Sequence, residues 1–204
     1  MIHLRLLGLI GTWNLVLMVL TGCPAAVLPA APLAAPVAPI APADWTPEEA
    51  QEFSQACFSA PEPLNRTDPI AEVVFNFNHG LRDFRPPAGP DGYILQIIPL
   101  NRDFKSTPLT GRLTFILFAG SALTQDGSIG SPVHIWRIDP SDLRQYWRPS
   151  ALLECYLFQL DWGEVLPQPG NYEFVVHIAY EQDHKVVNIC RAVSFYENQE
   201  FQGQ

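Results

Sequence analysis

Residues 172–181, YEFVVHIAYE, carry the clearest structural signal in the chain. The residues at even positions, Tyr172, Phe174, Val176, Ile178 and Tyr180, alternate with Glu173, Val175, His177, Ala179 and Glu181. A period of two is typical of a β-strand that turns one face to the core and the other to water. The stretch therefore predicts an antiparallel strand at the surface of a layered β protein.

Six further stretches on either side have a similar composition and are separated by turn residues. They begin at Ile70 or cover residues 93–100, 112–118, 133–138, 152–162 and 186–196. Asp91-Gly92 and Thr110-Gly111 are typical turn pairs between them. About seven short strands without a long helix predict an all-β, antiparallel two-layer sandwich over residues 70–198, with 199–204 as a tail.

A short helix over residues 47–58 precedes the strands, in a lead-in that covers residues 45–69. Thr46 is a candidate N-cap, Pro47 suits the first helical position and Glu49 completes a capping box. Ala50, Phe53 and Cys57 share one face, which we expect to pack on the sandwich. Trp45 is placed for a hydrophobic staple to Ala50.

A second helical turn is predicted between strands at residues 139–147, with an Asp cap and Pro140 at its first position. Tyr146 and Trp147 belong to it, and Trp136 and Trp162 lie nearby in the chain. These aromatic residues support two interpretations, a plug that closes one end of the sandwich or an exposed surface that stacks on a partner or a sugar. The plug is favoured, and Tyr146, Trp147 and Trp162 remain the candidate binding surface.

The first 22 residues have the form of an export signal. Arg5 precedes an apolar run of about 15 residues, which is shorter than the ~20 that a membrane-spanning helix needs. The run ends in Leu20-Thr21-Gly22-Cys23, which resembles the bacterial lipobox. The resemblance implies cleavage before Cys23 and acylation of that residue by diacylglycerol and a palmitate-type chain. The alternative is an ordinary secretory signal in which the cysteine has no role.

Residues 23–44 are rich in alanine and proline and carry no charge before Asp44. Repeated Ala-Pro units favour an extended, semi-rigid spacer, which predicts a tether between the acylated cysteine and the domain. Pro24 stands where an aspartate retains lipoproteins of the enterobacterial type at the inner membrane. The resemblance thus implies a lipid-anchored envelope protein at the outer membrane.

Several short motifs together resemble uncharacterised exported or lipid-anchored sandwich proteins of planctomycete-type bacteria. They are Asp91-Gly92, Pro99-Leu100-Asn101, Gly111-Arg112-Leu113-Thr114, Trp136-Arg137-Ile138, Ser141-Asp142-Leu143, Tyr146-Trp147 and YLFQLDW at 156–162. The resemblance spans roughly residues 70–195 and departs at 101–104, where an Asp-Gly turn is expected, and at Asp161, where proline is expected. It implies an immunoglobulin-like fold and transfers no catalytic residue.

The charge balance excludes one class of partner. The chain has 12 Lys and Arg against 21 Asp and Glu, a net charge of −9, without a basic cluster. Nucleic acids and anionic head groups both require clustered positive charge, so we expect no nucleic-acid partner. Membrane attachment must then come from acyl chains.

The remaining cysteines and histidines form no recognisable catalytic or metal-binding motif. Once Cys23 is acylated, Cys57, Cys155 and Cys190 allow one disulfide at most, and the sequence leaves the pairing open. His79, His134, His177 and His184 are isolated, without the spacing of a zinc site. We expect His177 and Glu173 to form a solvated polar row on one strand. The sequence predicts no catalytic residue, no metal and no cofactor.

These observations favour a lipid-anchored envelope protein whose sandwich is a non-catalytic structural or protein-interaction module. The alternative is a carbohydrate-binding module of the envelope. A hydrolase with an unrecognised site is the third hypothesis, and paired carboxylates in a cleft would support it.

Overall fold

The computed structural model describes residues 34–59, 70–82, 92–148, 153–182 and 185–197, all within the unit Leu33–Gln204. The predicted signal, Cys23 and the predicted tail lie outside the described residues. The helical elements are α1 (Pro47–Phe58) and two 3₁₀ turns at Pro42–Asp44 and Leu143–Tyr146. The strands are β1 (Glu72–Arg82), β2 (Gly92–Leu100), β3 (Arg112–Ala119), β4 (Pro132–Ile138), β5 (Trp147–Arg148), β6 (Cys155–Asp161), β7 (Gly170–Gln182) and β8 (Lys185–Glu197).

The strands form two antiparallel sheets of four, ordered β1-β2-β6-β5 and β4-β3-β7-β8. With β1 to β3 as strands A to C, β4 as strand C′ and β5 to β8 as strands D to G, these are the ABED and C′CFG sheets of an immunoglobulin-like domain. At the start of β7 the Tyr172 hydroxyl donates a hydrogen bond of 2.6 Å to the Gln168 carbonyl, which is the tyrosine corner of this fold. The predicted all-β sandwich is confirmed.

Over the ranges that the structure describes, the sandwich has eight strands, where the sequence predicts about seven. The additional strand is β5, which pairs Trp147 with Tyr156 and Arg148 with Cys155. A two-residue strand has no periodicity to read, so sequence alternation does not reveal it.

The inner faces of the two sheets meet in an aromatic core. Phe77 of β1 stacks on Phe174 of β7 with ring centroids 4.2 Å apart, and Phe115 of β3 lies 5.2 Å from Phe158 of β6. Each fully buried side chain of this size contributes about 1.5 to 3 kcal/mol. The largest fully buried side chains include Trp136, Trp162, Tyr93, Tyr156, Phe115, Phe158 and Phe174.

A second apolar cluster lies on the outer face of the β4-β3-β7-β8 sheet, beneath α1. Phe53 of the helix packs there with Ile116 and Phe118 of β3, Ile135 of β4 and Val175 of β7. The expectation that the outward face of β7 meets water is therefore wrong for Val175, which is 1% exposed. The physical reason is that the helix covers this face and adds a third layer.

Helix α1 has the predicted bounds and the predicted capping box. Thr46 Oγ1 accepts from the Glu49 backbone N–H at 3.2 Å, and Glu49 Oε2 accepts from the Thr46 N–H at 3.1 Å. The ring of Trp45 packs against Phe53 at 5.7 Å and Phe118 at 6.4 Å. Trp45 thus contacts the second apolar cluster, one turn beyond the predicted staple partner Ala50.

The end of the predicted tether is part of the domain, which corrects its boundary at residue 44. The Val37 N–H donates to the Gln159 carbonyl at 2.7 Å, and the Ile40 N–H donates to the Ile135 carbonyl at 2.8 Å. Val37 is 7% exposed in the main core. Each proline lacks an N–H, but the amides between prolines are free to pair, so this extended segment runs along β6 and then reaches β4.

The predicted helical turn at residues 139–147 is shorter than expected. Only Leu143–Tyr146 is helical, as a 3₁₀ turn without a side-chain cap from Asp142. Trp147 already belongs to β5, whose extended backbone ends the turn. Leu143 and Tyr146 are buried in the main core, so the turn covers one end of the sandwich.

Val37→Ala tests whether the end of the tether is folded. Because Val37 lies in the core, we expect the free energy of unfolding to fall by about 1 to 3 kcal/mol. Denaturant unfolding of the full chain measures it. Val165→Ala is the matched control, since Val165 is 60% exposed and its truncation should change stability by less than about 0.5 kcal/mol. Equal effects of the two substitutions would contradict the docking of this segment.

Candidate functional site

A groove of about 490 Å³ runs between α1 and the outer face of the β4-β3-β7-β8 sheet. Helix α1 supplies one wall through Glu49, Glu52, Phe53, Gln55 and Ala56. The sheet supplies the other wall and the floor through Arg112, Thr114, Arg137, His177, Ala179, Val186 and Asn188. The groove exists because α1 is held at its two ends and along its Phe53 face.

Both arginines of the groove form ion pairs. Arg137 Nη2 of β4 donates to Glu49 Oε1 at 2.8 Å, and the two side chains are 28% and 32% exposed. Arg112 of β3 lies 3.5 Å from Asp139 in a pair that is more than half exposed. Glu49 accepts from Thr46 and from Arg137 together, so its carboxylate holds the start of α1 to the sheet. This pairing gives Glu49 a structural role.

A disulfide between Cys57 and Cys190 holds the end of α1 to β8. The Cα atoms are 5.3 Å apart, across a sequence separation of 133. The third cysteine, Cys155 of β6, is a buried free thiol that lies 3.2 Å from Gln96 Nε2. Of the pairings that the sequence left open, the structure contains the one between Cys57 and Cys190.

His177 lies beside this disulfide, beneath α1. It is directly opposite Cys190 in the β7–β8 register, and its ring meets Phe53 edge to face at 5.7 Å. Nε2 forms a 2.9 Å hydrogen bond with Asn188 Oδ1. Burial lowers the pKa of His177, and the hydrogen bond to Asn188 opposes that shift.

The predicted solvated row of His177 and Glu173 is therefore wrong. His177 is half-buried under the helix. Glu173 Oε2 accepts from the Ala122 N–H at 2.7 Å and from Ser121 Oγ at 3.0 Å, which fixes the turn after β3. The alternation correctly placed both side chains on the outer face, but it carried no information about the helix that covers one of them.

The predicted aromatic binding surface is also incorrect, because its members are mostly in the core. Trp162 is 1% exposed and meets Tyr93 edge to face at 5.0 Å. Tyr146 is 7% exposed and lies 4.9 Å from Phe158. Trp147 is half-buried, with its ring against Tyr156 at 4.6 Å. The favoured plug interpretation fits these positions, since Leu143 and Tyr146 carry the turn into the core.

The other histidines do not join a common site in the described part of the chain. The side chains of His79 and His184 lie outside what the structure describes. His134 of β4 is 3% exposed beside Trp136, with ring centroids 5.4 Å apart. Burial lowers the pKa of His134 to about 4, against the opposing effects of a hydrogen bond to Val165 and the charge of Asp161.

Comparison with protein-family models, with curated proteins and with solved structures finds no match to this chain. Within the described ranges, no helix is both long enough and apolar enough to cross a bilayer.

The depressed pKa of His134 predicts a pH dependence of stability. An unfolded histidine has a pKa of about 6.5. Between pH 6.5 and 4, His134 is therefore protonated in the unfolded chain but neutral in the folded chain. The free energy of unfolding should then fall as the pH falls through this window, by up to about 3 kcal/mol from His134. Denaturant unfolding at several pH values measures the slope. His134→Gln should reduce it, and the lowered pKa of His177 accounts for a part that remains.

Asp126→Asn is the matched control for this slope. Hydrogen bonds from Thr124 and Ser128 lower the pKa of the Asp126 carboxyl to about 2, and its unfolded pKa of about 3.9 also lies below the window. The substitution should leave the dependence between pH 6.5 and 5 unchanged, which is the range in which the two substitutions are compared. A wild-type slope that His134→Gln does not reduce would show that His134 is not the responsible group.

Proposed function

We propose that this chain is a lipid-anchored protein of the cell envelope whose immunoglobulin-like domain is a non-catalytic interaction module. Its binding element is the free edge of β8, which accepts an extended segment of another envelope protein as an additional strand. Strand addition is a common mode of recognition, in which main-chain hydrogen bonds give affinity and side-chain contacts give specificity.

The exposed edge of β8 is the observation that carries this proposal. β8 is the last strand of its sheet in the described part of the chain, with β7 beside it. Residues 191–194 are exposed without interruption, and Val193 and Tyr196 are 41% and 58% exposed. Long, apolar edge strands are usually shortened, charged or covered, because their unpaired backbone groups pair with other chains. An edge left open over several residues suits a strand that has a partner.

Both ends of this open stretch are fixed, which supports a preformed binding edge. The disulfide holds Cys190 to α1 at one end. At the other end, the Tyr93 hydroxyl donates to Glu197 Oε2 at 2.8 Å in a buried contact between the two sheets. A strand held at both ends loses little conformational entropy when a partner binds, and such preorganisation increases affinity.

The disulfide also supports the envelope location. Disulfides persist in exported proteins and are rare in the reducing cytoplasm of mesophiles. An exported chain with Cys23 at the end of an apolar leader fits a lipid anchor. Strand addition needs no exposed aromatic platform, whereas the glycan alternative rested on Tyr146, Trp147 and Trp162.

Site-specific photo-crosslinking in intact cells tests the edge. A photoreactive residue at the exposed Ala192 of the full chain should yield one discrete adduct with an envelope protein, identified by mass spectrometry. Val193→Lys in the same chain should reduce the adduct at least fivefold, since a lysine at a strand edge opposes pairing. Val165→Lys places the same charge at an exposed position away from β8 and should leave the yield unchanged.

Two results would contradict the proposed partner. Equal adduct formation from Ala192 and from a probe at Val165 would mean that β8 has no special role. An adduct made of two copies of this chain would assign the edge to self-association.

Replacement of Cys23 tests the anchor. Acyl chains contribute about 0.8 kcal/mol per buried methylene, so Cys23→Ala should move the protein from the membrane fraction to the soluble or unprocessed fraction. Metabolic labelling with palmitate measures acylation directly, and Cys155→Ser should label like the wild type. A wild-type chain that takes up no label and fractionates as soluble would refute the lipid anchor without bearing on β8.

A further inference from the structure

Three side chains of types that bind metals meet between α1 and the sheet. Cys57 lies in the last turn of α1, His177 in β7 and Cys190 in β8. Their candidate ligand atoms all lie within 4.8 Å of one another, and all three residues are half-buried. Two cysteines and one histidine form a ligand set that zinc uses in proteins, with a fourth position left for water or another ligand.

The hydrogen bond of His177 is the kind that a metal ligand needs. An amide oxygen only accepts, so the contact with Asn188 Oδ1 places the proton on Nε2 and leaves the lone pair on Nδ1. Metal-bound histidines generally donate their other N–H to such an oxygen, which fixes the tautomer and the ring orientation. The strand pairing holds both groups, because Asn188 and Cys190 are alternate residues of β8 on the face that carries His177.

The surroundings of Cys190 also favour a cation. Its Sγ lies 3.6 Å from the carbonyl oxygen of Ala56, in the last turn of α1. The last carbonyls of a helix form the negative end of its dipole and attract positive charge. A zinc ion bound by the two thiolates would therefore lie near oriented carbonyl groups.

We propose that Cys57, Cys190 and His177 form a zinc site that the disulfide closes and that reduction opens. The oxidised pair has no thiolate to offer. Reduction by a thiol or phosphine reductant adds two electrons and two protons and gives two thiols. Zinc then displaces the two thiol protons and binds two thiolate sulfurs and Nδ1. Disulfide and zinc are thus mutually exclusive at this position, and the inference stands independently of the proposed role of β8.

Zinc titration of the full chain, in mild detergent and without oxygen, tests the site. A phosphine reduces the disulfide, with water supplying the oxygen of the phosphine oxide, and is removed before Zn²⁺ is added against a chromophoric chelator. We expect one equivalent of zinc to bind the reduced chain and none to bind the oxidised chain. Replacing Zn²⁺ with Co²⁺ should give thiolate-to-cobalt absorption, and circular dichroism should confirm that the sheets persist.

Two variants and one control separate a built site from loose thiol binding. His177→Ala removes a ligand and should weaken zinc binding at least tenfold. Asn188→Ala keeps all three ligands but frees the imidazole, and should also weaken it about tenfold or more. Cys155→Ser removes the buried free thiol outside the triad and should bind like the wild type.

Three outcomes would overturn the inference. The first is a folded, reduced chain that binds no zinc. The second is zinc binding that His177→Ala leaves unchanged, which would assign the ion to cysteines alone. The third is loss of the sheet signal on reduction, because the ligands come from three elements and meet only in the folded domain.

Discussion

The disulfide between Cys57 and Cys190 is the constraint on which the outer layer of this domain depends. It closes a loop with a sequence separation of 133, and in the chain-entropy model such a cross-link contributes about 5 kcal/mol. Burial of Phe53 contributes about 1.5 to 3 kcal/mol, and the partly exposed pair of Glu49 and Arg137 about 0 to 1 kcal/mol. The cross-link therefore stabilises the folded chain as a whole and links the end of α1 to β8, Phe53 packs the helix on the sheet, and the ion pair mainly orients its first turn.

Local signals in the sequence predicted the elements, whereas contacts between distant segments decided what they cover. The capping box defines the start of α1 because its atoms lie within one turn, and alternation reveals β7 because its period is a property of one strand. The docking of Val37 and Ile40 depends on free backbone groups of β6 and β4, which an Ala-Pro composition does not encode. Val175 next to Val176 was the available hint that both faces of β7 are covered.

The residues of the candidate site are likewise brought together by contacts between distant segments and not by a local sequence signal. Cys57, His177 and Cys190 lie far apart in the chain or have no motif spacing, so no sequence pattern joins them. They meet because β7 and β8 pair with His177 opposite Cys190, while α1 ends above this pair. For the aromatic residues, the favoured plug interpretation agrees with the structure. Both Trp147 and Trp162 follow the 3₁₀ turn in the chain. Trp162 is buried in the core, and Trp147 is half-buried against Tyr156.

The disulfide, His177 and the open edge all involve β8. The covalent state of Cys190 therefore affects how well this edge strand is ordered. With the disulfide formed, the stretch between Cys190 and Glu197 is held at both ends, and the proposed partner strand would meet a backbone that is already extended. Reduction without a bound metal would remove the covalent link between β8 and α1, whereas the pairing of β8 with β7 and the contact between Glu197 and Tyr93 do not involve that link. The unlinked strand samples more conformations, and a partner must then order it at a cost in binding free energy. A zinc ion held by the same residues would restore the link between helix and strand by coordination. The edge is therefore best ordered when this position is occupied, by either a disulfide or a metal.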